Sequence, residues 1–196
     1  MGRDPRPVAD GASYHVMARG NRRQSIFAND DDRGMFLAML NRVCTRYEWR
    51  CLAYCLMGNH VHLALQTPKG NISEGMRDLL GRYAWLHNQA NGLTDHLFRS
   101  RFASALIESD EQLVAVLRYI ARNPRRGGLV ERAEDWLWSS YPALLGLAPA
   151  PSFFKPHQVL RIFGRDPDSA RRTVQRMVED DDMRRGLWPA VSRVNG

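Results

Sequence analysis

Along residues 60–66 apolar and polar positions alternate with a period of two. His60, His62, Ala64 and Gln66 fall on one side of an extended chain, and Val61, Leu63 and Leu65 on the other. The second side is a core face. Residues 14–18 and about 50–57 read as two earlier strands, and Gly58-Asn59 makes a tight reversal into the histidine strand. Residues 97–107 read as a further strand, with Phe98 and Phe102 on one face and Arg99 and Arg101 on the other. Helical spacing separates these segments. Phe36, Met39, Leu40, Val43 and Tyr47 predict a helix capped by Asn29 or Asp30. Ile72, Met76, Leu79, Tyr83 and Leu86 predict a second, from an Asn71/Glu74 capping box to about Asn91, stopped by Gly92. A third spans 111–122 and ends at Asn123-Pro124. Arg125-Arg126-Gly127-Gly128 then forms a basic, flexible turn, and Trp136, Trp138 and Tyr141 an aromatic cluster.

The order strand–helix–strand–strand–helix–strand is the split βαβ plan. It predicts an α+β, ferredoxin-like antiparallel sheet with helices on one face and an open second face. First and third strands are neighbours in that plan, so His15 should lie near the histidine pair. From Phe153 onward two short helices are expected, split at residues 164–167, as a C-terminal helical appendage. The expected division is a catalytic unit over residues 1–152 and an accessory segment over 153–196. Residues 1–12 are rich in Pro and Gly and are expected to be loose.

Composition narrows the class. With 196 residues, 44% hydrophobic and 25% charged, the chain can build one globular core. No apolar run approaches the ~20 residues of a membrane span. The first residues hold no apolar signal-peptide core, so cytoplasmic residence is the expectation. The net charge is +7, and all basic residues but Lys69 and Lys155 are arginine. Arginine suits bidentate phosphate contacts, and the positive excess favours a nucleic-acid partner. The three cysteines, Cys44, Cys51 and Cys55, fit a reducing compartment. On a strand Cys51 and Cys55 lie about 13 Å apart, too far to share a tetrahedral zinc, so they read as small apolar residues.

Chemistry concentrates on the histidine strand. Its two imidazoles sit about 6.6 Å apart at Cα and point the same way, within reach of one divalent ion. A metal so held can polarise a phosphoryl oxygen. The second helix offers Tyr83 as a nucleophile, with His87 one turn later on the same side. Tyr83 also lies on the apolar stripe, where a tyrosine ordinarily packs in the core.

Six segments, taken in order, carry a family resemblance. They are 14–21 (YHVMARGN), 53–62 (AYCLMGNHVH), 80–84 (LGRYA), 96–102 (HLFRSRF), 119–124 (YIARNP) and 138–141 (WSSY). Together they resemble the single-tyrosine HUH transposases, in the branch that includes the REP-associated tyrosine transposases. The resemblance covers about two thirds of the chain. It implies metal-dependent cleavage and rejoining of single-stranded, hairpin-bearing DNA. A tyrosine attacks the scissile phosphate, leaving a 5′-phosphotyrosine and a free 3′-hydroxyl. It implies Mg2+ or Mn2+ on His60 and His62, Tyr83 as the nucleophile, and His87 as a third ligand, with Asn88 the alternative. DNA contacts are expected from Arg99, Arg101, Arg125 and Arg126. Relatives act as monomers or dimers, so a homodimer with the tyrosine acting on a partner's histidines stays open.

The match has departures. The family pattern favours Pro where Gly58 stands, Gly where Ser100 stands, and an aromatic residue at His87. No core catalytic group is removed. The alternative reading is a DNA-binding protein of the same fold that no longer cuts. A histidine-triad hydrolase would need a third alternating histidine, where Ala64 stands; a two-histidine phosphoesterase would need a repeated motif, and an RNA-binding RRM its glycine-aromatic strand.

Overall fold

The computed structural model describes residues 9–180. The N-terminal residues expected to be loose lie largely outside that span, as does the accessory segment past residue 180. Four strands form one antiparallel sheet in the order β2-β3-β1-β4, with β1 Ala12–Arg19, β2 Arg50–Leu56, β3 His60–Thr67 and β4 Ala103–Ile107. This is the expected ferredoxin-like order. Helices α1 (Asp30–Arg46) and α2 (Ile72–Asn91) pack against each other and cover one face. Val61, Leu63 and Leu65 are wholly buried.

Local chemistry explains the helix ends. Asn29 Oδ1 accepts from Asp32 N at 3.0 Å and opens α1. Asn71 precedes α2 but makes no cap bond. Its side chain instead accepts from Trp49 Nε1 at 2.6 Å and donates to the Tyr47 carbonyl at 3.3 Å, tying α2 to the end of α1. Gly92 closes α2 in the left-handed region, φ 63°.

Three expectations change. First, β4 begins only at Ala103. Residues 97–99 pair singly with the end of β1, through Asn21 N to Leu97 O and Arg99 N to Arg19 O, so no continuous ladder runs from 97 to 107. Second, α3 runs from Asp110 to Arg126, through Pro124. A proline in the last turn deletes one bond where few remain, and Gly127 N still reaches Asn123 O at 2.8 Å. Arg125 and Arg126 are therefore helical. Third, the face expected to be open carries α3, which packs on β2, β3 and β4.

The cysteines behave as apolar residues. A β-bulge between Cys51 and Ala53 shifts the register, so Cys51 pairs with Leu65 and Cys55 with His62, on opposite faces. All three are buried. Burial pushes the Cys44 thiol up to about 12 and those of Cys51 and Cys55 well above the ordinary range. The thiolate is the reactive form. None should therefore react with a thiol reagent at pH 8 in the native protein, and all three should react in denaturant. Titration with a chromogenic disulfide checks this; a fast native reaction would place a cysteine at the surface.

The C-terminal segment is helical, with α4 Tyr141–Leu145, α5 Pro156–Leu160 and α6 Pro167–Glu179. It shares the core of the sheet. Leu56 N donates to Trp138 O and Ser140 N to Tyr54 O, which covers the β2 edge. Phe154 packs edge-on to Tyr54, and Phe154, Val159, Leu160, Val174 and Val178 are buried. No boundary in packing stands at 152/153. Each such side chain contributes about 1.5–3 kcal/mol when fully buried, against a typical total of roughly 5–15 kcal/mol. A chain ended after Pro151 should fail to fold cooperatively; thermal unfolding followed by circular dichroism checks this, and a retained sharp transition would make the segment accessory.

Candidate active site

Cross-strand partners share a face, so the register assembles the site. Arg19 lies opposite His60, Met17 and Cys55 opposite His62, and His15 opposite Ala64. The His60 and His62 rings stand 5.0 Å apart at 90°. His60 Nδ1 is 2.6 Å from Asn59 Oδ1, while Asn59 Nδ2 donates to the Arg23 carbonyl at 3.1 Å. With the amide so oriented, His60 Nδ1 carries the proton and Nε2 keeps its lone pair. Arg22 and Arg23 are held left-handed, at φ 49° and 61°, in the turn that presents this carbonyl. His62 is buried, and its Nδ1 lies 3.0 Å from His15 Nε2 with the rings stacked. His15 thus fixes the orientation of the His62 ring; sequence topology placed it nearby, and the register brings it into hydrogen-bond contact.

Electrostatics keep these rings neutral. Burial lowers His15 to about 4, and burial reinforced by the Arg19 charge lowers His60 to about 4. Burial, with His15, His60 and Arg19 nearby, takes His62 well below the ordinary histidine range. Neutral imidazole is the metal-binding form. Among the described residues no group of three or more His, Cys, Asp and Glu side chains is arranged to hold a metal ion. An ion here would have to rest on two imidazoles completed by amide, water or phosphate oxygens. Two protein nitrogens leave positions for oxygen donors, so the set suits an open site rather than a closed four-ligand zinc site.

The aromatic neighbour of the pair comes from α3. Tyr119 is half-buried, its ring edge-on to His62 at 5.3 Å and 5.7 Å from His15. The Arg126 guanidinium lies 5.6 Å from the Tyr119 ring centre. Asn123, one turn after Tyr119, is buried and donates to the Tyr119 carbonyl at 3.0 Å. Arg19 Nε is buried without a hydrogen-bond partner, on the face of the histidines. A guanidinium so placed matches an incoming phosphate.

Tyr83 and His87 lie elsewhere. Tyr83 is fully buried among Phe27, Phe36, Phe98 and His87, between the helices of the opposite layer. Its hydroxyl donates to the Ile26 carbonyl, and burial, with the Asp32 charge nearby, raises its pKa far above the ordinary phenol value. His87 Nδ1 sits 3.3 Å from Asp32 Oδ2, in the same buried cluster. Neither reaches the His60–His62 pair, because the apolar stripe that carries them faces the core. Asn88, the alternative ligand, donates to the Asp95 carbonyl at 2.8 Å and stays on α2. Through Ile26, whose N–H donates to Gly58 O at 2.9 Å, Tyr83 is linked to the turn before His60.

Of the expected DNA-binding arginines, Arg126 adjoins Tyr119 and Arg125 is its exposed neighbour on α3. Arg99 and Arg101 are exposed on the segment before β4, next to the end of β1.

The family model described as "Transposase IS200 like" matches residues 9–123, well over half of the chain. The chain belongs to the IS200-like transposase family. The match spans His15, Arg19, both strand histidines, Tyr119 and Asn123. A Haemophilus influenzae protein, provisionally named a REP-associated tyrosine transposase, is 26% identical over 117 residues. That alignment takes in 54% of this chain, and the chain spans 66% of that relative's length. A solved structure described as a REP-associated tyrosine transposase bound to a REP hairpin shares the fold, with TM-score 0.65 and 20% identity. The overlap is 79% of this chain and 94% of that one. Among the described residues no helix is long and apolar enough to cross a membrane.

Tyr119, Asn123 and Arg19, which stand on or beside the histidine face, were not among the residues singled out from the sequence. A signal existed: Tyr119 and Asn123 stand at i and i+4 in the segment 119–124, the same spacing that drew attention to Tyr83 and His87.

Proposed function

We propose that this IS200-like transposase cuts and rejoins single-stranded, hairpin-bearing DNA, with Tyr119 as the nucleophile. The observation that carries the reading is the Tyr119 ring held against His62 beside the buried, unpartnered Arg19 Nε. Tyr119 Oη bonds to the scissile phosphorus, the bond from phosphorus to the 3′ oxygen breaks, the phenol proton passes to solvent, and the departing 3′ oxygen takes up a proton. The 5′-phosphate stays on the tyrosine until a 3′-hydroxyl reverses the exchange. Arg19 and Arg126 offset the charge of the phosphate. His60 and His62, with Asn123 as third ligand, would hold Mg2+ or Mn2+, which supplies Lewis-acid polarisation of a phosphoryl oxygen. His15 fixes the orientation of His62.

The contact of Tyr119 with the histidines of its own chain supports action in cis. A hairpin partner is supported by the hairpin in the solved structure of the same fold. The test is a labelled hairpin oligonucleotide with a single-stranded flank, incubated with the protein and Mn2+ and run on a denaturing gel. A nicked product and a covalent protein–DNA band are expected, both abolished by chelation. Hairpin binding with neither band would establish the non-cutting DNA-binding protein instead.

A further inference from the structure

Away from the histidines, a groove of about 540 Å3 runs between α2 and the segment over residues 94–102. Its floor is apolar, with Met76, Leu80 and Phe102, and its rim carries Arg77, Arg101 and Trp85. Trp85 is 61% exposed, a large aromatic face left in water. Arg77, Gly81 and Trp85 follow one ridge of α2 at i, i+4 and i+8, so Gly81 is a gap between a guanidinium and an indole. A Cβ added at Gly81 would meet nothing within 4 Å. The other wall is pinned at two points. Asn88 Nδ2 donates to the Asp95 carbonyl at 2.8 Å, and Arg99 N to the Arg19 carbonyl at 3.0 Å. The second bond joins the groove wall to the end of β1, where Arg19 stands opposite His60.

We propose that this groove binds an unpaired base of single-stranded DNA, stacked on Trp85 over the Gly81 gap, with Arg77 and Arg101 on the flanking phosphates. The inference rests on the reading that the chain handles single-stranded DNA and adds a second point of contact around the corner from the histidines. The chemistry selects the ligand. A free indole face accepts any base, an apolar floor accepts its edge, and two rim guanidiniums match the phosphates on either side.

The experiment compares a blunt hairpin with the same hairpin bearing a short single-stranded extension, by fluorescence anisotropy on the full chain in chelator. Two variants are used. Trp85→Ala removes the stacking face. Gly81→Leu fills the gap, leaves every rim residue in place, and improves helix propensity at an exposed position. The extension should tighten binding by the parent, and each variant should cancel most of that gain, about tenfold as expected for one stacked base. Blunt-hairpin affinity should stay unchanged. The proposal is overturned if the extension adds nothing, if its gain survives both variants, or if blunt-hairpin binding falls equally. It is also overturned if Trp85→Ala acts instead on self-association, since the groove would then belong to a second copy. Cleavage is scored separately. Groove-dependent binding without nicking would sink the cutting reading alone, and nicking without groove dependence would sink only the groove.

Discussion

Tyr119→Phe should eliminate the covalent protein–DNA adduct and the nicked product while hairpin affinity changes little. The substitution removes one hydroxyl and keeps the ring that packs on His62 and His15. Without that oxygen no phosphotyrosine can form, so activity should drop to the background of the assay. Tyr83→Phe is the matched control. It deletes the hydroxyl that donates to the Ile26 carbonyl, in a fully buried setting. The cost is a lost hydrogen bond and a buried acceptor left short, about 1–3 kcal/mol. Tyr83→Phe should therefore lower the unfolding midpoint and still form the adduct at a temperature where it is folded. An adduct retained in Tyr119→Phe and lost in Tyr83→Phe would reverse the assignment.

The second large effect concerns the histidines, which are not equivalent. His60 is half-buried at the mouth of the site, while His62 is 1% exposed and packed against His15 and Tyr119. His60→Ala should abolish Mn2+ binding, read by electron paramagnetic resonance, and cleavage with it, at little cost in stability. His62→Ala should abolish both and also destabilise the fold by about 2–4 kcal/mol, because it opens a cavity and strips His15 of its partner. The double variant, which the strand alternation alone would treat as fold-neutral, should then be the least stable. Mn2+ binding that survives His60→Ala would remove the pair from the metal site.

Much was legible in the chain itself. Period-two alternation over residues 60–66 has a single physical meaning once one face must be buried, and the histidines emerge on the same side. The helical stripes of α1 and α2, the reversal at Gly58-Asn59 and the stop at Gly92 follow from equally local causes. The ordered motifs carried the family, which the match over residues 9–123 bears out.

What sequence order could not rank was the tyrosines. Tyr83 follows the histidine strand in the chain, yet its stripe turns it into the layer of α1 and α2. Tyr119 comes after β4, more than fifty residues beyond His62, and reaches it only because α3 folds back across the other face of the sheet. The bulge between Cys51 and Ala53 is of the same kind: one extra residue flips Cys51 away from Cys55, and no propensity announces it. The contact of Phe154 with Tyr54 across 152/153 is of the same kind, since only packing shows it. Local pattern determined which residues are extended, which are helical and which face each side chain takes along its own element, because those are properties of neighbours in the chain. Which face of the sheet each helix covers, and so which tyrosine meets the histidines, was decided by the tertiary structure, because burying the second apolar face required α3 to close over it and bring Tyr119 along.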